Sequence, residues 1–255
     1  MKISASERQK KLFEKRYWRL SRKVLAKSRQ PIVDKAEYVD PERLKEYVRG
    51  LLLIAPIVSH VSDIWSKAGG SAMHQVSKQV AKATGKEVIK TVAEAEFLMR
   101  KYVNERSLRS ATEKAAKILD SQAEAINSVI DTVLERQKLE GLGILETRKA
   151  MVNELERGTL TEIENWQAQR IAMTEVSAAH NAGTWEEGKG QNLLKQWVHI
   201  PVSKVPRTNH IEYGNMEPQE EEYEYTDGLK RPHDDNASAE EVINCSCIMY
   251  WVTKE

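Results

Sequence analysis

Cys245 and Cys247, with only Ser246 between them, are the two cysteines of a 255-residue chain. A Cys-x-Cys pair is half of a metal site, a redox pair, or simply part of a strand. Zinc takes four N, S or O ligands in a tetrahedron. Here the thiols would supply two, His210 a third, and His199 or His233 a fourth. Same-face neighbours on an extended strand stand about 7 Å apart, which is wide for one metal. The metal reading therefore needs a turn or bulge at Asn244–Cys245. The competing reading makes both thiols small buried groups at the start of a core strand, and the sequence favours it: no cofactor is expected, with zinc as the alternative. A disulfide between the two is disfavoured by geometry, and two cysteines do not make a disulfide scaffold.

Glu175, His180, His210 and Glu241 are candidate acid–base groups. The chain has no Gly-rich phosphate loop, no His-Glu-x-x-His and no nucleophile elbow to organise them. The simpler expectation is a hydrogen-bonded network of Arg170, Thr174, Glu175, Asn181, Arg207, His210 and Glu241. In it Arg170 or Arg207 would pair with Glu175 or Glu241, because buried charges need partners. No catalytic residue is assigned.

Charge is unevenly spread behind a formal net of +1. Lys10, Lys11, Lys15, Arg16, Arg19, Arg22 and Lys23 crowd the N-terminus, a pattern suited to phosphates or to an acidic partner. Glu212, Glu217, Glu220, Glu221, Glu222, Glu224 and Asp227 form an acidic stretch, read as an exposed loop. With 30% charged and 40% hydrophobic residues, the composition is that of a folded globular protein. The most apolar run, residues 50–58, falls well short of the roughly 20 residues that span a membrane, and no membrane partner is expected.

The elements that must position these groups follow from periodicity. Residues 5–30 read as a basic helix, broken at Pro31. Asp40 and Pro41 form an N-cap and first position for a helix to about Ile54, with Pro56 kinking or ending it. Residues 67–72, with two glycines, read as a turn. From Val76 to Lys138 the pattern is helical, interrupted at 103–107. After 141–143 a short helix ends at Arg157–Gly158. A Thr161/Glu164 capping box opens the next, which runs to Ala182 with Gly183 as its C-terminal cap. Residues 193–202 and 245–252 alternate as strands, and pairing them would bring His199 or His210 towards the cysteines. The fold class expected is mainly α with a small α+β domain: a long helical N-terminal region, then a C-terminal helix with short antiparallel strands. The domain boundary is expected at 138/139.

Residues 170–183, a Trp-bearing strand, Arg207-x-x-His210 with Gly214, and the closing Gly228-Leu229, Pro232, Asp234 and Glu241-Val-Ile-Asn-Cys-x-Cys resemble the phage Mu F-like head morphogenesis family. The resemblance covers roughly residues 140–252. It implies a minor head protein, present in few copies in the virion, assembled in the host cytoplasm and associated with the portal protein and other capsid components. It implies no reaction. Non-specific DNA contact through the basic N-terminus accompanies this reading, and a metal-dependent enzyme or toxin-related domain is the alternative.

Overall fold

A computed structural model describes residues 5–85, 89, 91–201, 207–226 and 228–254, without the side chains of 5, 6, 41, 103–111 and 159. The architecture is mainly helical, with a two-stranded antiparallel sheet near the C-terminus, as the sequence predicts. In chain order the elements are α1 Ala5–Ala36, α2 Pro41–Leu51, α3 Ile54–Ile64, a π-helical turn Trp65–Gly69, α4 Gly70–Thr84, α5 Val92–Glu140, α6 Ile144–Glu156, α7 Thr159–Gly188, β1 Leu193–Val198, α8 Thr208–Asn215, α9 Ala239–Val242 and β2 Ile248–Thr253. No single helix among the described residues is long and apolar enough to cross a membrane.

Several boundaries differ from expectation for identifiable reasons. Pro31 lies inside α1. Burial of Ile32, Val33 and Ala36 just beyond it offsets the lost backbone bond. Asp40 caps α2 as expected, accepting from Glu42 N at 3.1 Å, but α2 ends at Leu51, and Pro56 sits in the first turn of α3, where its missing N–H is harmless. The expected break at 103–107 is absent: the backbone of α5 is one continuous helix. The interruption comes earlier, where Gly85 adopts a left-handed φ of 70° and caps α4. Gly141, at φ 69°, follows α5, and α6 ends before Arg157 as predicted. The Thr161/Glu164 capping box does not form: α7 starts at Thr159, and Glu164 is buried against Arg29.

The two-glycine segment 67–72 is helical, and Gly183 lies inside α7. All three glycines serve close approach. A Cβ on Gly183 would sit 2.1 Å from the Gly69 carbonyl oxygen, and one on Gly70 would sit 2.7 Å from Glu96 Cα. The backbones of the π-turn, α4, α5 and α7 therefore meet where only hydrogen fits.

The chain divides into two compact units that interleave along the sequence. One comprises the described residues of Arg19–Val61 and Leu108–Gln169, with a core of Leu25, Ile32, Leu44, Val48, Leu119, Ile126, Ile130, Met151 and Leu155. The other comprises the described residues of Met1–Trp18, Ser62–Ser107 and Arg170–Glu255. Residues on both sides of position 138 contribute to each unit.

In the second unit β1 pairs with β2 in the register Leu193↔Thr253 to Val198↔Ile248. Leu193, Lys195 and Trp197 form the buried face of β1. On its other edge, Lys195 exchanges backbone bonds with Gln219 at 2.7 and 2.8 Å. The acidic stretch is thus partly structured. It begins within α8 and then lies along β1, where the Glu221 and Tyr223 carbonyls accept from the buried Lys195 ammonium. That ammonium also lies 5.4 Å from the Trp185 ring centre and 5.6 Å from that of Tyr225. Burial lowers its pKa to about 8.

Candidate functional site: a buried His/Cys cluster

The expected strand at 245–252 begins only at Ile248, so both cysteines precede β2. The cause is Asn244, which takes a left-handed φ of 58°, a region asparagine tolerates. Its backbone N–H donates to the Thr174 hydroxyl on α7 at 3.3 Å. Beyond this bend, one ligand atom from each of Cys245, Cys247 and His210 lies within 4.8 Å of the others.

Histidines from α8 and from just beyond the end of β1 reach the thiols. His210 Nδ1, from the first turn of α8, stands 3.5 Å from each sulfur. His199, one residue beyond β1, places Nδ1 3.6 Å from Cys247 Sγ. Gly214 lets α8 approach His199 closely, since a Cβ there would come within 3.0 Å of His199 Cβ. His233, the other candidate fourth ligand, is used differently: its Nε2 donates to the Cys245 carbonyl at 2.9 Å. Trp197 roofs the cluster, with the rings of His210, Tyr213 and Tyr225 edge-on to it at 5.1, 5.2 and 4.9 Å.

A further layer orients these groups. Glu241 accepts from His210 Nε2 at 2.5 Å through one oxygen and from Asn209 Nδ2 at 3.0 Å through the other. The Nε2 proton is therefore committed to the carboxylate, and Nδ1 faces the sulfurs. Arg207 donates to the Glu240 and Ile243 carbonyls, both at 2.7 Å, and so clamps α9. The three successive carbonyls of Cys245, Ser246 and Cys247 are each tied by a side chain: His233, Lys10 at 3.0 Å and Asn181 at 3.0 Å. Asn181 also accepts from Met249 N at 3.0 Å.

The electrostatics follow. A hydrogen bond from Cys245, helped by His210 and His199, overcomes burial and lowers the Cys247 pKa. The same bond and burial push Cys245 up. Burial alone would lower the pKa of His210, but its bonds to Cys247 and Glu241 outweigh it and the net direction is upward.

The predicted network is thus assembled in large part, with different pairings. Glu241 is engaged by His210 and Asn209, and Arg207 holds backbone carbonyls. Glu175 accepts from the Trp65 indole at 2.8 Å. Arg170 is half-buried on α7. Sequence reasoning missed Asn209 and Lys10 as members of this layer. Asn209 lay in view beside His210, but its contact is made 32 residues away.

Of the basic residues read as a contact surface, Lys11, Lys15, Arg16, Arg19, Arg22 and Lys23 are exposed. Lys10 is not: it is 2% exposed and pairs with Glu14 at 3.1 Å. An ammonium already committed to Glu14 and Ser246 O is withdrawn from that surface. It also faces His180, whose pKa burial and the Lys10 charge lower to about 3.

That histidine carries a pH prediction. Its native pKa lies below the unfolded value near 6.5, so the unfolded state binds the extra proton. The resulting stability is complete above about pH 6.5 and falls by on the order of 1.4 kcal/mol per unit as the pH drops towards 3. Urea unfolding of His180→Gln across pH 4–7 should show a shallower loss than the parent chain; parallel curves would refute the assignment.

No family model, curated protein or solved structure matches the chain.

Proposed function

We propose that this chain is a phage minor head protein of the Mu F-like kind, acting by binding to other capsid components at or near the portal and not by catalysis. One observation carries the reading beyond the sequence resemblance. The residues on which that resemblance rests are scattered from α7 to β2, yet Asn181, Arg207, His210, Gly214, Glu241, Cys245 and Cys247 support one buried cluster. A motif whose members hold each other in place is what a docking domain of fixed shape requires. The same burial weighs against the enzyme alternative. Cys245, Cys247 and His210 are each 2% exposed, so among the described residues the atoms that would react are not open to a substrate.

The exposed cations of α1 suit non-specific contact with DNA phosphates, which weakens steeply with salt. Co-expression with the phage's portal, scaffold and coat proteins, followed by gradient sedimentation, tests the assembly role. A few copies per particle, retained only when portal is present, are expected. Protein left entirely at the top of the gradient would overturn the proposal.

A further inference from the structure

We infer that Cys245, Cys247, His210 and His199 form a closed, structural zinc site, with Glu241 and Asn209 as its outer layer. The site stands on side-chain geometry and is independent of any role in a capsid. In a tetrahedral centre with Zn–S near 2.3 Å and Zn–N near 2.0–2.1 Å, sulfur and nitrogen ligands stand ~3.6 Å apart. Three of the four sulfur–nitrogen separations are 3.5, 3.5 and 3.6 Å; His210, Cys245 and Cys247 have ligand atoms within 4.8 Å of one another, and His199 joins them through Cys247 alone. The three separations match the spacing of two atoms that share a metal, a spacing that a sulfur–nitrogen hydrogen bond also adopts.

Four further features agree. The nitrogen that faces the sulfurs in both histidines is Nδ1. In His210 the opposite nitrogen is held by a carboxylate, the arrangement that fixes tautomer and basicity in metal-ligating histidines. Two thiolates and two neutral imidazoles balance the charge of Zn2+, so the loaded centre places no net charge in the core. The Cys245, Ser246 and Cys247 carbonyls are all turned to side-chain donors, leaving the sulfurs as the inward-facing donors of the loop.

Two other uses of the same atoms fit less well. A Cys247–His210–Glu241 nucleophile would need an opening at the sulfur, which Trp197 and its aromatic neighbours cover. An ordinary core seldom sets a buried imidazole, His210, against two buried thiols, with a second, half-buried imidazole and a half-buried carboxylate alongside.

Cobalt(II) is the probe. The full chain, stripped by chelator and titrated with Co(II), should take up one equivalent. Its absorption spectrum should show thiolate-to-metal charge transfer and the intense d–d bands of a tetrahedral site, which Zn(II) then bleaches. Glu241→Gln should weaken the metal about 10–100-fold. His199→Cys should keep one Co(II) and strengthen the charge-transfer band, because a third sulfur enters the shell. His233→Gln should keep one Co(II) with its thiolate charge transfer, since His233 holds the Cys245 carbonyl and supplies no ligand atom. Unfolding on stripping, reversed by Zn(II), would support the site, since metal binding there is folding free energy. A folded chain that develops no thiolate charge transfer would overturn it. An unaltered spectrum in a folded, Co(II)-loaded His199→Cys would remove His199 from the ligand set and refute the four-ligand assignment.

Discussion

Gly183→Ala is expected to destabilise the protein by about 1–3 kcal/mol, although helix propensity predicts a gain of about 1 kcal/mol for the same change. The sign turns on one contact. The new methyl carbon would lie 2.1 Å from the Gly69 carbonyl oxygen, and a backbone atom in a helix cannot rotate aside. Either α7 or the π-turn must move, disturbing the seat of Glu175 and Asn181 on the same helix. Gly50→Ala is the control: it lies in α2 with nothing within 4 Å of its added Cβ, and should be neutral or stabilising by up to about 1 kcal/mol. The urea midpoint should therefore fall in Gly183→Ala and hold or rise in Gly50→Ala. A more stable Gly183→Ala would show that the close approach is not as described.

The second large effect concerns the helical unit. Arg29 Nε donates to Glu164 Oε1 at 2.8 Å, and Gln122 Nε2 donates to the same oxygen at 3.0 Å and to the Leu25 carbonyl at 2.9 Å. Burial raises the Glu164 pKa, with Arg29 and Gln122 pulling against it. Arg29→Ala would leave a carboxylate buried without its counter-charge, at a cost of about 3–5 kcal/mol near neutral pH. The loss should shrink as the pH falls. Without Arg29 the native carboxyl titrates still higher than the unfolded one, so the stability of the variant is retained at low pH and lost as the pH rises through the native value. Replacing both partners, Arg29→Met with Glu164→Leu, should come close to neutral. A double-mutant cycle in urea at pH 5 and pH 7.5 checks both statements, and an additive, pH-independent cycle would contradict them.

What was legible in the sequence was local. Asp40 and Pro41 announce a helix start because capping involves one turn of chain. Alternation at 193–202 announces a half-buried strand because the period is 2; the strand ends at Val198, and Val202 lies outside the described residues. The amphipathic stripe after Ala115 announces a core face, and Leu119, Ile126 and Ile130 are indeed fully buried. Glycine misled because it serves two physical purposes, a left-handed φ and the absence of a Cβ. Gly85 and Gly141 use the first, Gly69, Gly70 and Gly183 the second, and only the tertiary partners distinguish them. Glu164 misled likewise: its spacing from Thr161 suits a cap, but a buried arginine 135 residues away claims it. Pro31 was read as a break because its cost is local, whereas the burial that offsets it is not.

The cluster was half legible. The Cys-x-Cys pair and His210 stood out by type, but the choice of His199 over His233 depends on where β1 ends and how α8 folds back over it. The need for a bend before Cys245 was readable from strand geometry, and Asn244 supplies it. That Lys10 belongs to the cluster's support and not to the exposed basic surface was beyond any local pattern, since its partner carbonyl is 236 residues away.

The central claim is that the C-terminal residues fold around a closed metal centre, giving a domain of fixed shape suited to docking. Native mass spectrometry of the full chain, purified from zinc-supplemented cells without chelator, tests this most directly. The predicted result is a single species heavier than the polypeptide by one zinc ion, with that increment lost in Cys247→Ser and kept in His233→Gln. A compact, folded charge-state distribution at the bare polypeptide mass, in the parent chain under the same conditions, would contradict it.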